Sequence, residues 1–221
     1  MSKENKKTLE VYDMTASRYL ENTIKGNNSN PEKARKKEEE LKEFIRDAFS
    51  SIPKGSKVFE IGSADGENAK YLKEFGFDVT PSDIADAFIK AIKENGLNPI
   101  KFNAIENKFL EKYAGIFCWR VFVHFTKEDA MKVIKNTYDG LEKDGIFVFN
   151  AMNREVHDVD EEWLDLPGDK SMGEKRYYHY FKKEELDKMA IDTGYEIFDY
   201  QTEGGKDNNK WHIYTLKKKE K

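Results

Sequence analysis

The middle of the chain alternates between short apolar runs and longer amphipathic segments. The apolar runs between residues 57 and 153 are "KVFEIG", "FDVTPSDI", "PIKFNA", "YAGIFCWRVF" and "IFVFNAMN". The segments "ENAKYLKEFG" and "ADAFIKAIKENG" end in glycine, and "KEDAMKVIKNTYDGLEKDG" follows Thr126, which has capping-box spacing to Asp129. Strands that alternate with helices of about 10–15 residues predict a parallel sheet with right-handed crossovers.

The two ends of the chain have different patterns. Pro31 begins a segment with apolar residues at helical spacing that stops at Pro53 and Gly55, which predicts a helix. The stretch "REVHDVDEEWLDLPGDKSMGEKRYYHY" has no clear period, and we expect it to be irregular. A helix is then predicted in "KKEELDKMAIDTG". Finally, "YEIFDYQT" and "KWHIYTLKK" predict two strands joined as a hairpin by "EGGKDNN".

Composition and charge narrow the classes of function. With 221 residues, of which 38% are hydrophobic and 36% charged, the chain has the size of one α/β domain. The net charge of −4 and the interspersed charges argue against a nucleic-acid partner, and no apolar run reaches the roughly 20 residues that span a membrane. The N-terminus lacks an apolar signal region, and a single cysteine, Cys118, favours a reducing compartment. These features predict a cytoplasmic location.

A glycine turn follows the first predicted strand in "EIGSADG". Gly62 and Gly66 allow a tight turn and a close approach of a ligand to the main chain. The dinucleotide fingerprint would need glycines where the sequence has Ala64 and Glu67. A carboxylate at Glu60 also disfavours a pyrophosphate and suits a positively charged group. The alternative for this acid is a simple solvent-facing strand end.

Polar residues also follow the next two strands. Asp83 lies 23 residues after Glu60, at the position where an acid accepts both hydroxyls of a ribose. Its alternative role is the N-cap of the following helix. Asn103 follows the third strand and is placed to hydrogen-bond an adenine edge. A ligand that combines a nucleoside with a cationic group fits the description of S-adenosylmethionine.

Four segments in this order resemble class I S-adenosylmethionine-dependent methyltransferases. "EIGSADG" resembles the family's E/D-x-G-x-G-x-G loop and "VTPSDIA" its second motif, while "YAGIFCWRVFVHF" and "LEKDGIFVF" resemble its fourth and fifth strands. Three positions depart from the pattern: Ala64 replaces the central glycine, and Asn103 and Ala114 stand where acids are commoner. The resemblance implies a Rossmann-like three-layer α/β sandwich. Its seven strands would have the order 3-2-1-4-5-7-6 and an antiparallel last strand.

The resemblance also implies a set of cofactor-binding residues. The glycine turn would position the methionine portion, Asp83 the ribose, and Ile84 with Asn103 the adenine. Trp119 would contact the amino-acid portion, or else belong to the core. The N-terminal "YDMTASRY" resembles a helix that closes over the cofactor as a lid, the alternative being an amphipathic helix on the sheet edge. The predicted cofactor-binding set is Tyr19, Glu60, Gly62, Ala64, Gly66, Asp83, Ile84, Asn103 and Trp119.

Two histidines are candidates for proton transfer. His124 follows the fourth strand and His179 lies in "KRYYHYF"; each has the alternative of a packing role. A carboxylate or thiolate acceptor would need no base. The acidic residues of "HDVDEEW" would attract a cationic substrate, or form a solvated loop.

The predicted function is methyl transfer from S-adenosylmethionine to a small molecule by in-line displacement, without a metal. A protein methyltransferase and a non-catalytic S-adenosylmethionine-binding module are the alternatives. We expect one domain, with an N-terminal helical lid (1–52), a cofactor-binding core (53–153), a substrate-side insertion (154–181) and a C-terminal helix and hairpin (182–221). The sequence leaves the acceptor and the oligomeric state open.

Overall fold

A seven-stranded sheet forms the centre of the computed structural model, which describes residues 1–165, 171–203 and 210–219, without the side chains of residues 24–28. Numbered along the chain, its strands are β1 (Lys57–Ile61), β2 (Asp78–Asp83), β3 (Ile100–Lys101), β4 (Tyr113–Cys118), β5 (Leu141–Met152), β8 (Tyr195–Glu203) and β9 (Trp211–Lys218). Their order is β3-β2-β1-β4-β5-β9-β8, and β9 is antiparallel to both neighbours. The predicted order is confirmed, with β8 and β9 as the sixth and seventh strands of this sheet.

Helices cover both faces of the sheet. They are α1 (Lys3–Ser29), α2 (Pro31–Ala48), α3 (Glu67–Glu74), α4 (Asp86–Glu94), α5 (Lys127–Gly140) and α6 (Lys183–Thr193). Successive strand residues point to opposite faces, so Val58 packs with α2 and α3 while Phe59 packs with α5 and α6. The predicted three-layer α/β sandwich is therefore confirmed. None of the described helices is both long and apolar enough to cross a membrane.

The boundary between α5 and β5 differs from the predicted one. The helix begins as expected, because Thr126 caps it by accepting the Asp129 N–H at 3.2 Å. It ends at Gly140, however, and β5 begins at once with the buried Leu141. The pairing of β5 with β4 shifts register before Ile146. The residues between were predicted to end the helix and instead form an irregularity within the strand.

A second small sheet was not expected. Within the segment predicted to be irregular, β6 (Glu161–Leu164) pairs antiparallel with β7 (Arg176–His179). All four residues of β7 are buried, so its sequence shows no alternation of apolar and polar positions. The prediction of irregular structure is wrong for these two strands. The predicted hairpin connection at 204–209 lies outside the described residues.

Candidate active site

A cleft opens beyond the carboxyl ends of β1, β2 and β4, the place where parallel sheets bind ligands. About 830 Å³ of space free of protein atoms lies within it, part of it open to solvent. One side, here called the strand half, consists of residues that follow β1, β2 and β3. The other side, the helix half, consists of residues from α1 and from the turn after β4. The strand half is lined by Ile61, Gly62, Ala64, Asp83, Ile84, Ala85, Phe88, Phe102, Asn103, Ala104 and Ile105, and the helix half by Asn5, Thr8, Leu9, Tyr12, Tyr19, Trp119, Arg120, Val121, His124 and Phe125.

The glycine turn has the conformation that its sequence predicts. Gly62 has φ 73°, and a Cβ there would lie 2.4 Å from Cγ2 of Val121. Ala64 has φ 49°, a left-handed conformation that costs a residue with a Cβ about 1–2 kcal/mol. This backbone explains why a glycine is commoner at position 64. Gly66, with φ 83°, begins α3 and does not line the cleft.

Asp83 reaches the cleft from the end of β2. Its Oδ2 accepts the Ala64 N–H at 3.1 Å and its Oδ1 accepts the Ala85 N–H at 3.0 Å. Burial raises its pKa to about 6, although the neighbouring N–H groups oppose the shift. Ala85 is the N-cap of α4, so Asp83 is not the helix cap that the alternative required. The side chain thus ties the glycine turn to β2 and still faces the cleft.

Glu60 lies beneath the glycine turn and is 1% exposed. Neither of its carboxylate oxygens has a hydrogen-bond partner in the described part of the chain. Burial raises its pKa to about 7; the nearby side chains of Ser63 and Asn68 act in the opposite direction. The alternative of a solvent-facing strand end is therefore wrong. A buried carboxyl group without a partner needs a donor or a cation, and the side chain does not itself line the cleft.

The other predicted strand-half residues lie at the cleft. Ile84 and Asn103 both line it. The Asn103 amide is also engaged in the turn after β3, since its Oδ1 accepts the Ile105 N–H at 3.0 Å and its Nδ2 donates to Glu106 at 3.0 Å. Trp119 lines the helix half and stacks on Phe117 with ring centroids 5.6 Å apart. It therefore both lines the cleft and packs against the interior, and its contact with the amino-acid portion of the cofactor stays a prediction.

The N-terminal motif forms one wall of the cleft. Tyr12, Ala16 and Tyr19 are spaced i, i+4 and i+7, so they share one face of α1. Tyr19 packs edge-on and Tyr12 at a tilt against Phe88, and both tyrosines line the cleft, while Ala16 is buried beside them. Asp13 accepts the Asp86 N–H at 3.2 Å, which places a carboxylate at the start of α4. The motif thus fixes α1 across the cleft.

His124 has both ring nitrogens engaged. Nδ1 lies 2.7 Å from the Tyr177 carbonyl, which can only accept, so Nδ1 carries the proton. Nε2 therefore accepts from the Tyr12 hydroxyl at 2.8 Å. Arg176 Nη1 in turn donates to the Tyr12 oxygen at 3.2 Å. Burial, together with the charge of Arg176, lowers the pKa of His124 to about 4, so the imidazole is neutral at pH 7.

His179 lies outside the cleft. Alternate residues of β7 point in opposite directions, so Arg176 and Tyr178 face Tyr12 and His124 while His179 faces away. His179 Nδ1 lies 3.1 Å from the Tyr177 hydroxyl, and its ring packs on Phe181.

The acidic segment is likewise engaged elsewhere. Asp160 pairs with Arg154, and Glu162 accepts from the Tyr180 hydroxyl at 2.6 Å. None of these acidic side chains lines the cleft.

Two contributors to the helix half were not predicted as site residues. Arg120, which lies in the segment "YAGIFCWRVFVHF" that resembles the fourth strand and its turn, lines the cleft. Arg176 holds the hydroxyl of Tyr12 from a strand that the sequence did not reveal. The spacing of the N-terminal motif was the signal that could have found Tyr12. The described residues contain no group of His, Cys, Asp and Glu arranged to hold a metal ion.

Comparisons with known proteins agree with this geometry. The family described as "Methyltransferase domain" matches residues 33–200 of the chain. No curated protein matches the sequence.

Many solved structures have a similar fold. The CcbJ methyltransferase from Streptomyces caelestis aligns with a TM-score of 0.64 at 15% identity, covering 80% of this chain and 88% of that chain. The PH0226 protein from Pyrococcus horikoshii OT3 aligns with a TM-score of 0.66 at 16% identity. The alignment covers 86% of this chain and 93% of that chain. A third similar structure is the magnesium protoporphyrin IX methyltransferase (ChlM) from Synechocystis PCC 6803, solved with bound S-adenosylmethionine. It aligns with a TM-score of 0.61 at 13% identity, and the alignment covers 81% of this chain and 77% of that chain. At these identities the likeness concerns the fold.

Proposed function

This chain belongs to the methyltransferase domain family as a class I S-adenosylmethionine-dependent methyltransferase, and from that premise we propose that it methylates a small-molecule acceptor by in-line displacement. One observation carries the assignment of the site. A buried carboxylate without a partner, Glu60, and a cleft-facing carboxylate, Asp83, flank a turn whose backbone is open to the cleft. These two acids match the charge and hydroxyl groups of a nucleoside that carries a cationic amino acid.

The residues of the strand half fit S-adenosylmethionine. In our proposal Glu60 neutralises the ammonium group, Asp83 binds the ribose hydroxyls, and Ile84 with Asn103 borders the adenine. Gly62 and Ala64 leave the main chain of the turn accessible, and Gly66 acts on the shape of the turn from outside the cleft. When bound, S-adenosylmethionine supplies an electrophilic methyl carbon on a sulfonium sulfur.

The helix half supplies alignment and excludes water. Tyr12 and Tyr19 project from α1 into the cleft, and Trp119 closes it from the turn after β4. Holding the two reactants in line in a closed cleft is the main contribution that a protein makes to such a transfer. We assign His124 to fixing the Tyr12 hydroxyl, because the only nitrogen that could take a proton already accepts from Tyr12. His179 has no role in this proposal.

The position of the cleft favours a small acceptor over a protein. The cleft is a recess beyond the strand ends, and α1 forms one of its walls. Magnesium protoporphyrin IX, which appears in the name of one structural neighbour, is a small-molecule acceptor. We keep the predicted division into a lid (1–52), a cofactor core (53–153), an acceptor side (154–181), which contributes through the contact of Arg176 with Tyr12, and a C-terminal unit (182–221).

Two measurements test the function. Mass spectrometry of ligand released from the purified protein should detect S-adenosylmethionine or S-adenosylhomocysteine; a dinucleotide would contradict the cofactor site. The protein is then incubated with methyl-labelled S-adenosylmethionine and a cell extract, which is fractionated by size. We expect label in the small-molecule fraction. Label in protein would favour a protein methyltransferase, and tight cofactor binding without any transfer would favour a non-catalytic module.

A further inference from the structure

Arg120 is held at the cleft by a constrained backbone. It has φ 62°, a conformation that is costly for a residue with a side chain. Its N–H donates to Oδ1 of the fully buried Asn150 at 2.6 Å, which fixes this conformation from the neighbouring strand β5. Strained backbone that persists because a buried partner holds it is often found at functional sites. Arg120 is one of the residues that line the helix half of the cleft.

The guanidinium of Arg120 is held in a fixed orientation, but only some of its N–H groups donate hydrogen bonds within the described part of the chain. It stacks on Trp211, 3.9 Å from the ring centroid, and its Nη2 donates to both Glu203 oxygens at 2.9 and 2.7 Å. The N–H donors on Nε and Nη1 have no acceptor among the described residues. The side chains of Arg120 and Glu203 are 39% and 45% exposed, and an ion pair this exposed contributes only about 0–1 kcal/mol. A second anion can therefore share or replace Glu203 at little cost.

The charges around the cleft are segregated. Among the described residues that line it, Arg120 is the only arginine or lysine, and Asp83, in the strand half, is the only carboxylate. The buried Arg176 adds a second positive charge behind Tyr12. An ammonium group entering the helix half would meet the Arg120 guanidinium and no carboxylate among the described residues that line this half, whereas an anion would meet the N–H donors of Arg120 that Glu203 does not occupy.

The helix half also lacks an available base. The Nε2 of His124 already accepts from Tyr12, and Nδ1 carries a proton that is donated to a carbonyl. An acceptor that must lose a proton during transfer would have no group in the described helix half to receive it. An acceptor that arrives as an oxyanion needs none.

We propose that the acceptor is an organic carboxylate, and that Arg120 recognises its negative oxygen; this rests on the proposed function. The oxyanion forms a bond to the methyl carbon as the carbon–sulfur bond breaks, and the bonding pair stays on sulfur. The products are a methyl ester and neutral S-adenosylhomocysteine. The negative charge of the acceptor cancels the sulfonium charge, so no proton is transferred.

The test uses three probes of the same shape and different charge. Benzoate, benzyl alcohol and benzylamine are titrated into the full chain saturated with S-adenosylhomocysteine, and binding is followed by ligand-observed NMR. We expect benzoate to bind most tightly and benzylamine, an ammonium at neutral pH, most weakly. Benzylamine or the alcohol binding as tightly as benzoate would overturn the proposal. Absence of benzoate binding would do the same.

Variants identify the residue responsible. Arg120→Gln should weaken the binding of benzoate at least tenfold and leave the binding of benzyl alcohol unchanged. The benzoate affinity of Arg120→Lys should lie between those of the wild type and Arg120→Gln, because lysine keeps the charge but not the paired N–H donors of the guanidinium. Glu203→Gln, which removes the competing carboxylate, should tighten benzoate by up to about fivefold. Arg154→Gln, which breaks an arginine–carboxylate pair away from the cleft, is the matched control. Equal benzoate affinity in Arg120→Gln and Arg154→Gln would refute the assignment.

Binding of S-adenosylhomocysteine itself separates the two proposals. If the protein does not bind it, the proposed function fails. If it binds but charge has no effect on the probes, only the anionic acceptor fails. If Arg120→Gln does not fold, Glu203→Gln still tests the proposal, because we expect this variant to bind benzoate more tightly than the wild type. Unchanged or weaker benzoate binding by Glu203→Gln would then overturn it.

Discussion

The two halves of the cleft differ in charge and in how the chain builds them. The strand half buries the acids Glu60 and Asp83, and their pKa values are raised to about 7 and about 6. The helix half holds His124, with a pKa lowered to about 4, and the guanidinium groups of Arg120 and Arg176. Burial penalises the charged form in both halves, so it moves acids and bases in opposite directions.

This difference indicates which part of the substrates each half binds. A cation that reaches the acids of the strand half is bound favourably there, and an anion is bound favourably by the N–H donors of the helix half. A sulfonium donor and an anionic acceptor would satisfy both. The free protein, by contrast, carries the cost of an unpartnered acid, Glu60, beside the strand half. A change that removes this cost should stabilise the protein while it weakens binding.

The largest effect is expected where the strand half depends on backbone shape. In Gly62→Val the left-handed φ and the 2.4 Å approach to Val121 should together cost about 4 kcal/mol of unfolding free energy. Gly55→Val is the matched control, since Gly55 has φ 83° but no atom within 4 Å of its added Cβ. It should cost only about 1–2 kcal/mol. Equal losses in urea unfolding would show that close packing against Val121 is unimportant.

A change of opposite sign is expected at Glu60. Its folded-state pKa lies above the ordinary value, so the unfolded chain loses its proton first, and stability falls as pH rises from about 4.5 to about 7. Glu60→Gln should therefore raise the unfolding free energy of the ligand-free protein by about 3 kcal/mol at pH 8. The gain should shrink towards pH 5 while S-adenosylhomocysteine binds more weakly. A gain that does not vary with pH would contradict the assigned burial cost.

The strand half was the part that the sequence could predict. Glu60, the glycine turn and Asp83 come directly after apolar strands, and parallel strands bring their carboxyl ends to one edge. Residues close in sequence to the strand ends thus form this half of the site. The positions of Ile84 and Asn103 at the cleft follow from the same rule, because they come after β2 and β3. The sequence could not predict that the Glu60 carboxylate lacks a hydrogen-bond partner among the described residues, because this depends on the positions of side chains that are distant in sequence.

The helix half was less predictable because its contacts join distant segments. Tyr12, His124 and Arg176 form one hydrogen-bonded chain although 164 residues separate the first from the last. The strand β7 that carries Arg176 has no period-two pattern, since it is buried on both faces. Sequence therefore identified His124 as a candidate but gave no indication of the partners that occupy its nitrogens.

The pH dependence of the helix half should be the reverse of that of the strand half. The folded-state pKa of His124 lies below its ordinary 6.5, so its contribution to stability is complete above pH 6.5 and is lost as pH falls towards 4. At pH 5 the loss should be about 2 kcal/mol relative to pH 7. His124→Gln should lack this component when unfolding is measured across the range. Between pH 7 and 8 the two proteins should have the same slope, and a difference there would point to another group.

The smallest of these effects concerns a single contact to the ligand. Asp83→Ala should weaken S-adenosylhomocysteine binding at least tenfold, about 1.4 kcal/mol or more, in calorimetry. Asp86→Ala is the control, since this neighbouring carboxylate is 76% exposed and does not line the cleft. Benzoate binding to the ligand-saturated variant should be unchanged, because Asp83 belongs to the strand half. Unchanged affinity for S-adenosylhomocysteine would remove the ribose assignment, and a parallel loss of benzoate would show that the two halves are not independent.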